Sequence, residues 1–445
     1  MNTIKPYQSK WHHHIWRWLY SFIILLLLPL ALLKLLSKSD STAGKSNQNR
    51  ERFGFIGKKK QGGILVHCVS MGEVNAARNV IEQLLLKYPE LAVTITTSST
   101  TGAKHARAIF KDRVQHCYLA IDLPICMSLF FSKLQPSMVI VTEVEIWPNM
   151  LEHCYRRKIP TLLINARMSA NSVKNYQGLA WLMRPSLRKF TKICAQSSKD
   201  FERFLSLGVY KPNLLLSNNM KFDLQIDAND GVLAKRITDT LDLASREVFV
   251  AGSTHEGEEL RCLEVFSALK KLKPNMLLIL VPRHPHRFDK VAQLCLASGF
   301  STLRSSTLAI KKSESSTKAA VCPDILVVDE MGLLKACFQL ASIAFIGGSF
   351  VDKGGHNALE SALYGVPTVM GPSVYNNPVI CDALARSGGL CIIESQKSFT
   401  DTLLRWLQDD KLRAELAIAL QAVLKNNAGA VQVTVDCIGQ FIVEN

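Results

Sequence analysis

GGILVHCVSMGEVNAARNVIEQLLLKYPELAVTITTSS, residues 62–99, holds two short apolar runs separated by a stretch of helical spacing. The runs GILVHCVS and LAVTITTSS lack the alternation of a half-exposed strand, so we predict strands that are buried on both faces. Between them, NAARNVIEQLLLKYP repeats its apolar residues at helical spacing. A strand, a helix and a second strand in this order predict a βαβ unit within a parallel sheet.

The same alternation continues along the chain. MVIVTEVEIW, PTLLINAR and TKICAQSS extend the first set of strands, and EVFVAGSTHE, NMLLILVPRH, DILVVDE and IAFIGGSF form a second set. We therefore predict an α/β protein with two doubly wound, Rossmann-like domains and a ligand cleft between them. The predicted boundaries are 62–226 for the N-terminal domain, 227–245 for a linker, and 246–445 for the C-terminal domain with its terminal helices.

The N-terminal segment is apolar and then basic. Trp18 to Leu33 carries no charge, and residues 1–60 hold eleven Lys or Arg against two acidic residues. We predict a membrane-anchor helix over 1–36 and a basic tether over 37–61 that is attracted to anionic lipids. A cleaved signal peptide is the alternative, and the run does not distinguish a spanning anchor from a half-inserted one. Basic residues after the run favour placing the domains in the cytoplasm, at the inner membrane.

Composition excludes several classes of protein. A length of 445 residues suits two domains. Of the net charge of +16, +9 lies in residues 1–60 beside the apolar run, which favours membrane lipids over nucleic acid. The twelve cysteines include no C-x-x-C pair, so we predict no zinc or redox site and a reducing compartment. His12 to His14 is too short a run to close a metal coordination shell, and we predict no metal site.

Acidic residues follow two of the predicted strands. Glu73 ends HCVSMGE (67–73), where it is either a simple acid in a first helical turn or a carboxylate placed to take a proton from a substrate hydroxyl. Glu143 and Glu145 in TEVEIWPN (142–149) would point to one face if strand geometry persists. Two acids on one face at the end of a buried run are costly unless they are paired or functional, although surface solvation is the alternative.

Two further segments are typical of phosphate binding. GGSFVDKGGHNALE (347–360) follows an apolar run and precedes a predicted helix, whose exposed amides are predicted to bind phosphate without a metal. PRHPHRF (282–288) ends another strand and offers cationic side chains to phosphate or carboxylate. Neither a G-x-G-x-x-G nor a G-x-x-x-x-G-K-[ST] pattern occurs, which argues against dinucleotide and P-loop sites.

Eight motifs of this chain are together similar to those of the 3-deoxy-D-manno-octulosonic acid (Kdo) transferases of lipopolysaccharide biosynthesis. In chain order they are HCVSMGE, TEVEIWPN, NARMS, QSSKD, NMKFD, AGSTHEGEE, LVPRHPHRF and GGSFVDKGGHNALE. The resemblance covers residues 50 to about 400. It implies the glycosyltransferase B arrangement of two Rossmann-like domains, a CMP-Kdo donor, no cofactor, and a tetra-acylated lipid A precursor as acceptor. Other enzymes of the same pathway are possible partners.

The resemblance also implies roles for individual residues. Glu73 is expected to be the general base of an inverting, metal-independent transfer, and Glu143 or Glu145 with Lys221 is expected to steady the charged transition state. Arg167 is the second candidate cation for the sugar carboxylate. The residues expected to bind the donor nucleotide are Pro282, Arg283, His284, Met331, Gly332, Leu333, Gly348, Ser349, Asn357, Ala358, Leu359 and Glu360.

Four positions depart from the family pattern. Leu333 stands where Glu is usual, Asn218 where Gly is usual, His105 where Arg is usual and Ala358 where Pro is usual. Asn is the non-glycine residue that best tolerates a left-handed backbone, so we expect that conformation at Asn218. The alternatives are an enzyme of this fold with a different nucleotide sugar, and a membrane-bound binder with weakened catalysis.

Overall fold

A computed structural model describes residues 7–37, 45–241, 243, 245–308 and 322–443. The chain forms two compact units, an N-terminal unit of Met1–Asp223 with Ala428–Asn445 and a C-terminal unit of Leu224–Asn427. Each unit contains a seven-stranded sheet in which every pairing is parallel, with helices in the connections. This confirms the predicted α/β class with two doubly wound, Rossmann-like domains.

The sheet of the N-terminal unit has the strand order β3-β2-β1-β4-β5-β6-β7. Its strands are β1 Ile64–His67, β2 Val93–Thr97, β3 Gln115–Tyr118, β4 Met138–Thr142, β5 Thr161–Ala166, β6 Lys192–Ala195 and β7 Leu214–Leu216. Its first nine helices are α1 Trp11–Ser37, α2 Lys45–Arg52, α3 Met71–Lys87, α4 Thr100–Phe110, α5 Pro124–Leu134, α6 Pro148–Arg156, α7 Ala170–Gly178, α8 Ala180–Leu187 and α9 Ser198–Ser206. Strands β1, β4 and β5 are fully buried, as their unbroken apolar runs predict.

The sheet of the C-terminal unit has the order β10-β11-β9-β8-β12-β13-β14. Its strands are β8 Val248–Thr254, β9 Leu277–Pro282, β10 Thr302–Arg304, β11 Ile325–Val327, β12 Ile343–Ile346, β13 Thr368–Met370 and β14 Leu390–Ile392. Its helices are α10 Ala228–Thr238, α11 Glu258–Leu272, α12 Phe288–Ala297, α13 Ser305–Leu308, α14 Leu334–Gln339, α15 Leu359–Leu363, α16 Pro378–Arg386, α17 Gln396–Gln408 and α18 Asp410–Asn427. Short 3-10 turns cover Lys111–Arg113, Lys211–Asn213, Met220–Phe222 and Pro285–Arg287.

The last helix, α19 Ala430–Val443, corrects the predicted domain boundaries. The sequence placed all of 246–445 in the C-terminal domain, but α19 packs on α3 in the N-terminal unit. Its apolar residues Val431, Val435 and Ile438 complete the core on one face of the N-terminal sheet. The carboxylate of Asp223 fixes this return, because it accepts hydrogen bonds from the amides of Gly429 and Val431.

Two other boundaries also differ from the prediction. The region 227–245 is more than a linker, because α10 belongs to the C-terminal unit and packs on α14. The second half of the predicted tether 37–61 is folded: α2 begins at Lys45, and Ile56 lies in the hydrophobic core. Residues 1–6 of the predicted anchor and 38–44 of the predicted tether lie outside the described residues.

The N-terminal helix α1 has the predicted composition of a membrane anchor. Within the described ranges it is the one helix long and apolar enough to cross a membrane, judged by length and composition alone. Between Trp11 and Leu30, most of its apolar side chains are exposed, among them Trp18 and Leu26. Its first half, in contrast, contacts helices α6 and α8 of the N-terminal unit.

Candidate functional site

Strand register brings the acidic motifs of the N-terminal unit together. His67 at the end of β1 is opposite Val141 of β4, and Thr142 at the end of β4 is opposite Ile164 of β5. The carboxyl ends of these three neighbouring strands therefore lie side by side, at the edge where ligands of parallel sheets bind. Glu73 follows β1 and Glu143 follows β4 at this edge.

Glu73 lies in the first turn of α3 with only 9% of its surface exposed. Its Oε2 atom accepts hydrogen bonds from the Val69 amide and the Thr142 hydroxyl, both at 2.8 Å. Its Oε1 atom accepts one longer bond, 3.2 Å, from the Ser70 hydroxyl. The bond from Val69 is typical of an acid that caps a helix start, but a simple cap needs no hydroxyl from a neighbouring strand.

Opposing effects act on the protonation of Glu73. Burial raises the pKa of its carboxyl group, and the nearby charge of Glu143 raises it further. The three hydrogen bonds, from Thr142, Val69 and Ser70, partly offset this because they favour the carboxylate. The result is a carboxylate whose pKa lies above the usual range and whose Oε1 atom carries a single weak partner, which suits proton abstraction.

Glu143 and Glu145 do not share a strand face, so that prediction was wrong. Strand β4 ends at Thr142, and Glu143 adopts a left-handed backbone with φ 59°. Its backbone is held on both sides, since its amide donates to the Ile164 carbonyl and its carbonyl accepts from the Arg167 amide. The left-handed turn ends the strand and replaces its two-residue alternation.

Both acids nevertheless remain close to the first one. Burial raises the pKa of Glu145 to about 7, and the charges of Glu73 and Glu143 add to the increase. The ammonium group of Lys221, in the turn after β7, lies 3.5 Å from the Glu143 carboxylate. The structure therefore brings together all four predicted catalytic residues: three carboxylates and one cation.

Neighbouring residues show what two of the departures from the family pattern do. Asn218 has φ 64°, the left-handed conformation that was expected at this position. The Nε2 atom of His105 donates to the Asn75 side-chain oxygen at 2.6 Å, so this histidine links α4 to α3, the helix that carries Glu73.

The C-terminal unit collects cations and imidazoles at the matching edge of its sheet. Strand β8 lies between β9 and β12, so the residues that follow these strands meet. The Nε2 atoms of His255 and His356 are 2.9 Å apart with their rings parallel, and His284 packs edge-on against His255. We call His255, His284 and His356, with the adjacent Arg283 and Lys353, the histidine cluster.

Burial, with a smaller contribution from neighbouring positive charge, lowers the pKa of the three imidazoles of this cluster. Burial lowers the pKa of His356 to about 4, and Arg283, His255 and His284 lower it further. Burial and the neighbouring imidazole of His284 lower the pKa of His255, and Lys353 contributes to the same shift. The lowered pKa values show that positive charge from Arg283 and Lys353 is concentrated here. A bound phosphate group would neutralise that charge.

The first amides of the Gly-rich segment bind a carboxylate of the protein itself. The Glu258 carboxylate, fully buried at the start of α11, accepts from the amides of Gly348, Ser349 and Phe350 at 2.8–3.0 Å. The Ser349 hydroxyl is also engaged, since it donates to the Ile346 carbonyl and accepts from the Gly371 amide. The polar groups of Gly348 and Ser349 named here therefore stabilise the conformation of the loop.

The remaining predicted donor-binding residues lie near the same edge with different exposures. Pro282 is buried at the end of β9, and Arg283 lies beside it. Met331 is 64% exposed and Gly332 has φ 90°, whereas Leu333 is buried and begins α14. Asn357, Ala358, Leu359 and Glu360 form the start of α15, where the Asn357 side chain accepts from the Leu359 amide. The charge of Arg283 reaches Glu360, whose pKa is raised mainly by burial.

Sequence reasoning missed Thr142, Glu258 and the pair His255–His356. All three lie within quoted motifs. The available signal was the position of Thr142 at the end of β4 and of His255 directly after β8, whereas His356 lies ten residues after β12 and gave no such signal. Glu258 gave no such signal, because an acid in a first helical turn is ordinary. Within the described part of the chain, no group of three His, Cys, Asp or Glu is placed to hold a metal ion.

Comparison with known proteins gives consistent results. The family model described as 3-deoxy-D-manno-octulosonic-acid transferase (kdotransferase) matches residues 47–224. A protein of Haemophilus influenzae named 3-deoxy-D-manno-octulosonic acid transferase is 35% identical over 400 residues, which cover 89% of this chain and 91% of that protein. A protein of Rickettsia bellii with the same name is 30% identical, with 82% of this chain and 85% of that protein covered.

Among solved structures, the UDP-GlcNAc 2-epimerase from Neisseria meningitidis is similar in fold. It aligns with a TM-score of 0.56 at 11% identity and covers 86% of this chain and 100% of that chain. At this identity the likeness concerns the fold alone.

Proposed function

The chain belongs to the 3-deoxy-D-manno-octulosonic acid (Kdo) transferase family, and from that membership we propose that it transfers Kdo from CMP-Kdo to a tetra-acylated lipid A precursor. The observation that carries the proposed mechanism is the environment of Glu73. This carboxylate is buried where β1 and β4 end, it is held by Val69 and Thr142 through Oε2, and its Oε1 atom has one weak partner.

In the proposed reaction Glu73 is the general base. An acceptor hydroxyl oxygen forms the new bond to the anomeric carbon of Kdo while its proton passes to Oε1 of Glu73. The bond between that carbon and the phosphate oxygen breaks, and CMP leaves with the electron pair. Because the nucleophile enters opposite the leaving group, the configuration at the anomeric carbon inverts.

The leaving phosphate needs positive charge and hydrogen-bond donors. Arg283 and Lys353 supply the charge. One N–H of the His255–His356 pair is used between the two rings, so two of the three neutral imidazoles can each donate one hydrogen bond to the phosphate. This set supports a transfer that needs no metal ion. The Asn357–Glu360 segment and the Met331–Leu333 turn are proposed to contact the rest of the CMP moiety.

Lys221 is proposed to bind the sugar carboxylate. Its ammonium group is partly exposed and lies next to Glu143, so it carries a positive charge at the edge where the sugar must sit. The developing positive charge on the sugar ring would face Glu143 and Glu145. The proposed location is the cytoplasmic face of the inner membrane, where the lipid acceptor is held.

The test is a transfer assay with membranes that contain the full-length protein, CMP-Kdo and the lipid A precursor. Mass spectrometry should show the acceptor gaining the mass of one or more Kdo units, and the number of units gained counts the transfers. Glu73→Ala should abolish the gain, whereas Glu90→Ala, a change of an exposed glutamate near the end of the same helix, should not. Unchanged transfer by Glu73→Ala would refute the assigned base.

One alternative is an enzyme of the same fold that uses a different nucleotide sugar. Supplying UDP-sugars in place of CMP-Kdo in the same assay tests it. Turnover of a UDP-sugar without Kdo transfer would favour that alternative, and binding of CMP-Kdo without turnover would favour a binder with weakened catalysis.

A further inference from the structure

Helix α1 is attached to the N-terminal unit by buried polar contacts along its first half. The Arg17 guanidinium, 7% exposed, donates to the Asn149 side chain at 2.7 Å, and Asn149 in turn donates to the Ser21 hydroxyl. The Tyr20 hydroxyl donates to the buried Asp122 carboxylate. These contacts fix residues 17–21 on the surface of the unit.

The chain after α1 returns to the same unit. The Glu51 carboxylate in α2 accepts from the Tyr118 amide at the end of β3, and the Arg52 side chain donates to the Ser98 carbonyl. Gly54 approaches α5 so closely that an added Cβ would lie 2.5 Å from the Cys126 carbonyl oxygen. Both flanks of the apolar segment are therefore held by one folded unit.

This double attachment limits how deep α1 can go. From Ser21 to Ser37 the helix is about 24 Å long, less than the roughly 30 Å of a hydrocarbon core. The eight residue steps from Ser37 to Lys45 span at most about 29 Å, so a crossing helix would force residues 38–44, KSDSTAG, back through the core in extended form. Extended polar backbone with Lys38 and Asp40 is not tolerated there.

The exposed faces near α1 suit an anionic bilayer surface. One side of α1 presents Trp18, Phe22, Leu26 and Leu30, each more than half exposed. Helix α5 begins two residues after Asp122, exposes 75% of Ile125, and ends beside a cavity of about 520 Å³. Its lining has one acid, Glu51, whose carboxylate accepts from the Tyr118 amide. The cations and apolar side chains of the lining are Arg50, Lys58, Lys59, Lys133, Phe55, Ile56 and Leu129.

We propose that the protein is monotopic: α1 lies in one leaflet of an anionic membrane without crossing it, and the basic cavity next to α5 binds an anionic phospholipid headgroup of that leaflet. The helix inserts its exposed apolar side, and its two ends stay on the side of the folded units. Lysine and arginine side chains at the rim bind the phosphate, while Phe55 and Leu129 contact the first methylene groups of the lipid.

The first experiment determines on which side the N-terminus lies. Reporters that are active only in the cytoplasm or only outside it are fused to the N-terminus, and separately to the C-terminus, of the full-length chain in a Gram-negative bacterium. The proposal expects both termini to report the same side and the N-terminal reporter to remain attached. Termini on opposite sides, or loss of the N-terminal reporter by cleavage, would overturn it.

The second experiment measures co-flotation of the purified protein with phosphatidylcholine vesicles, with or without phosphatidylglycerol. We expect binding that requires phosphatidylglycerol, and a loss of about 30-fold for each of Lys58→Glu and Lys59→Glu, since each reversal changes the charge by two units. Leu26→Asp should remove binding, while the matched surface changes Leu296→Asp and Lys397→Glu should not. Equal binding to both kinds of vesicle, or equal effects of test and control variants, would contradict the proposal.

Discussion

The hydroxyl of Thr142 donates a 2.8 Å hydrogen bond to the Oε2 atom of Glu73. The last residue of β4 therefore fixes the carboxylate that follows the neighbouring strand β1. Thr142 is fully buried and also lies within reach of the His67 carbonyl at 2.9 Å. A hydroxyl has one proton, so the bond to the carboxylate and the bond to the carbonyl are alternatives. The choice between them follows the charge of Glu73, because the ionised form is the better acceptor.

Activity should therefore fall at low pH with a pKa above the usual glutamate range. Burial and the charge of Glu143 raise the pKa of Glu73, and only the deprotonated form accepts a proton. In Glu143→Gln the acid limb of a kcat/KM profile should move to lower pH, since one negative neighbour is removed. A limb that stays in place would show that Glu143 does not act on the base.

Replacing Lys221 should weaken donor use. Lys221→Met keeps the length of the side chain and removes the ammonium group that lies 3.5 Å from Glu143. We expect kcat/KM for CMP-Kdo to fall by about 10- to 100-fold, the value of one charged hydrogen bond of 1.5–3 kcal/mol. Lys211→Met, an exposed change in the same unit, is the control. Equal kinetics for both variants would argue against a role in binding the sugar carboxylate.

The stability of the protein should depend on Glu145. Its pKa is raised from 4.5 to about 7, so the folded state favours the protonated form. This contribution is fully present below about pH 4.5 and is lost as pH rises to about 7. Between these pH values the free energy of unfolding of the natural protein should fall by on the order of 2 kcal/mol because of Glu145, and Glu145→Gln should not show this fall. Urea unfolding at pH 5 and 7.5 measures the difference. Parallel pH curves for the two proteins would contradict the assignment.

Glu258 should matter for folding of the Gly-rich segment. In the natural protein, backbone N–H groups of the segment donate to both carboxylate oxygens of Glu258. In Glu258→Gln an NH₂ group replaces one of these oxygens and cannot accept from them. Leaving such buried donors unsatisfied should lower the free energy of unfolding by about 3–5 kcal/mol, as measured with urea. Glu256→Gln, an exposed change two residues earlier, should leave stability unchanged. Similar unfolding midpoints for both variants would show that the loop does not depend on the carboxylate.

Asn218 tests the effect of backbone conformation on stability. Its φ is 64°, and because the residue is exposed, replacing its side chain disturbs no packed core. Asn218→Ala should cost about 1–2 kcal/mol of stability, the usual penalty for a left-handed alanine. Asn218→Gly should stay within about 1 kcal/mol of the natural protein. A glycine variant as unstable as the alanine variant would mean that the side chain, not φ, is what matters here.

Most of the fold follows from the sequence, because fully buried parallel strands leave unbroken apolar runs. The runs around Ile64–His67 and Met138–Thr142 gave both the strands and the edge at which Glu73 and Glu143 meet. The geometry beyond the last strand residue did not follow. The left-handed turn at Glu143 contains no glycine that would have predicted it. It depends on backbone hydrogen bonds with Ile164 and Arg167, which lie more than 20 residues later in the sequence.

The amide donors of the Gly-rich segment show a second limit. Four glycines correctly indicated a close approach to the backbone, but the group that approaches is Glu258, about 90 residues away. Pattern alone does not distinguish an internal carboxylate from a bound phosphate, since both are anions that accept from consecutive amides. The domain boundary at the C-terminus failed for a similar reason, because an amphipathic helix does not specify the sheet that it covers.

The return of α19 to the first unit has a consequence for synthesis of the protein. Ala430, Val431, Val435 and Ile438 belong to the core between that helix and the N-terminal sheet, whose first strand is made some 360 residues earlier. At the ordinary pace of about 5–20 residues per second, the ribosome adds these side chains roughly 20–70 s after that strand. The first unit to emerge is thus completed only after the second, and it must keep one apolar face uncovered until α19 has been made.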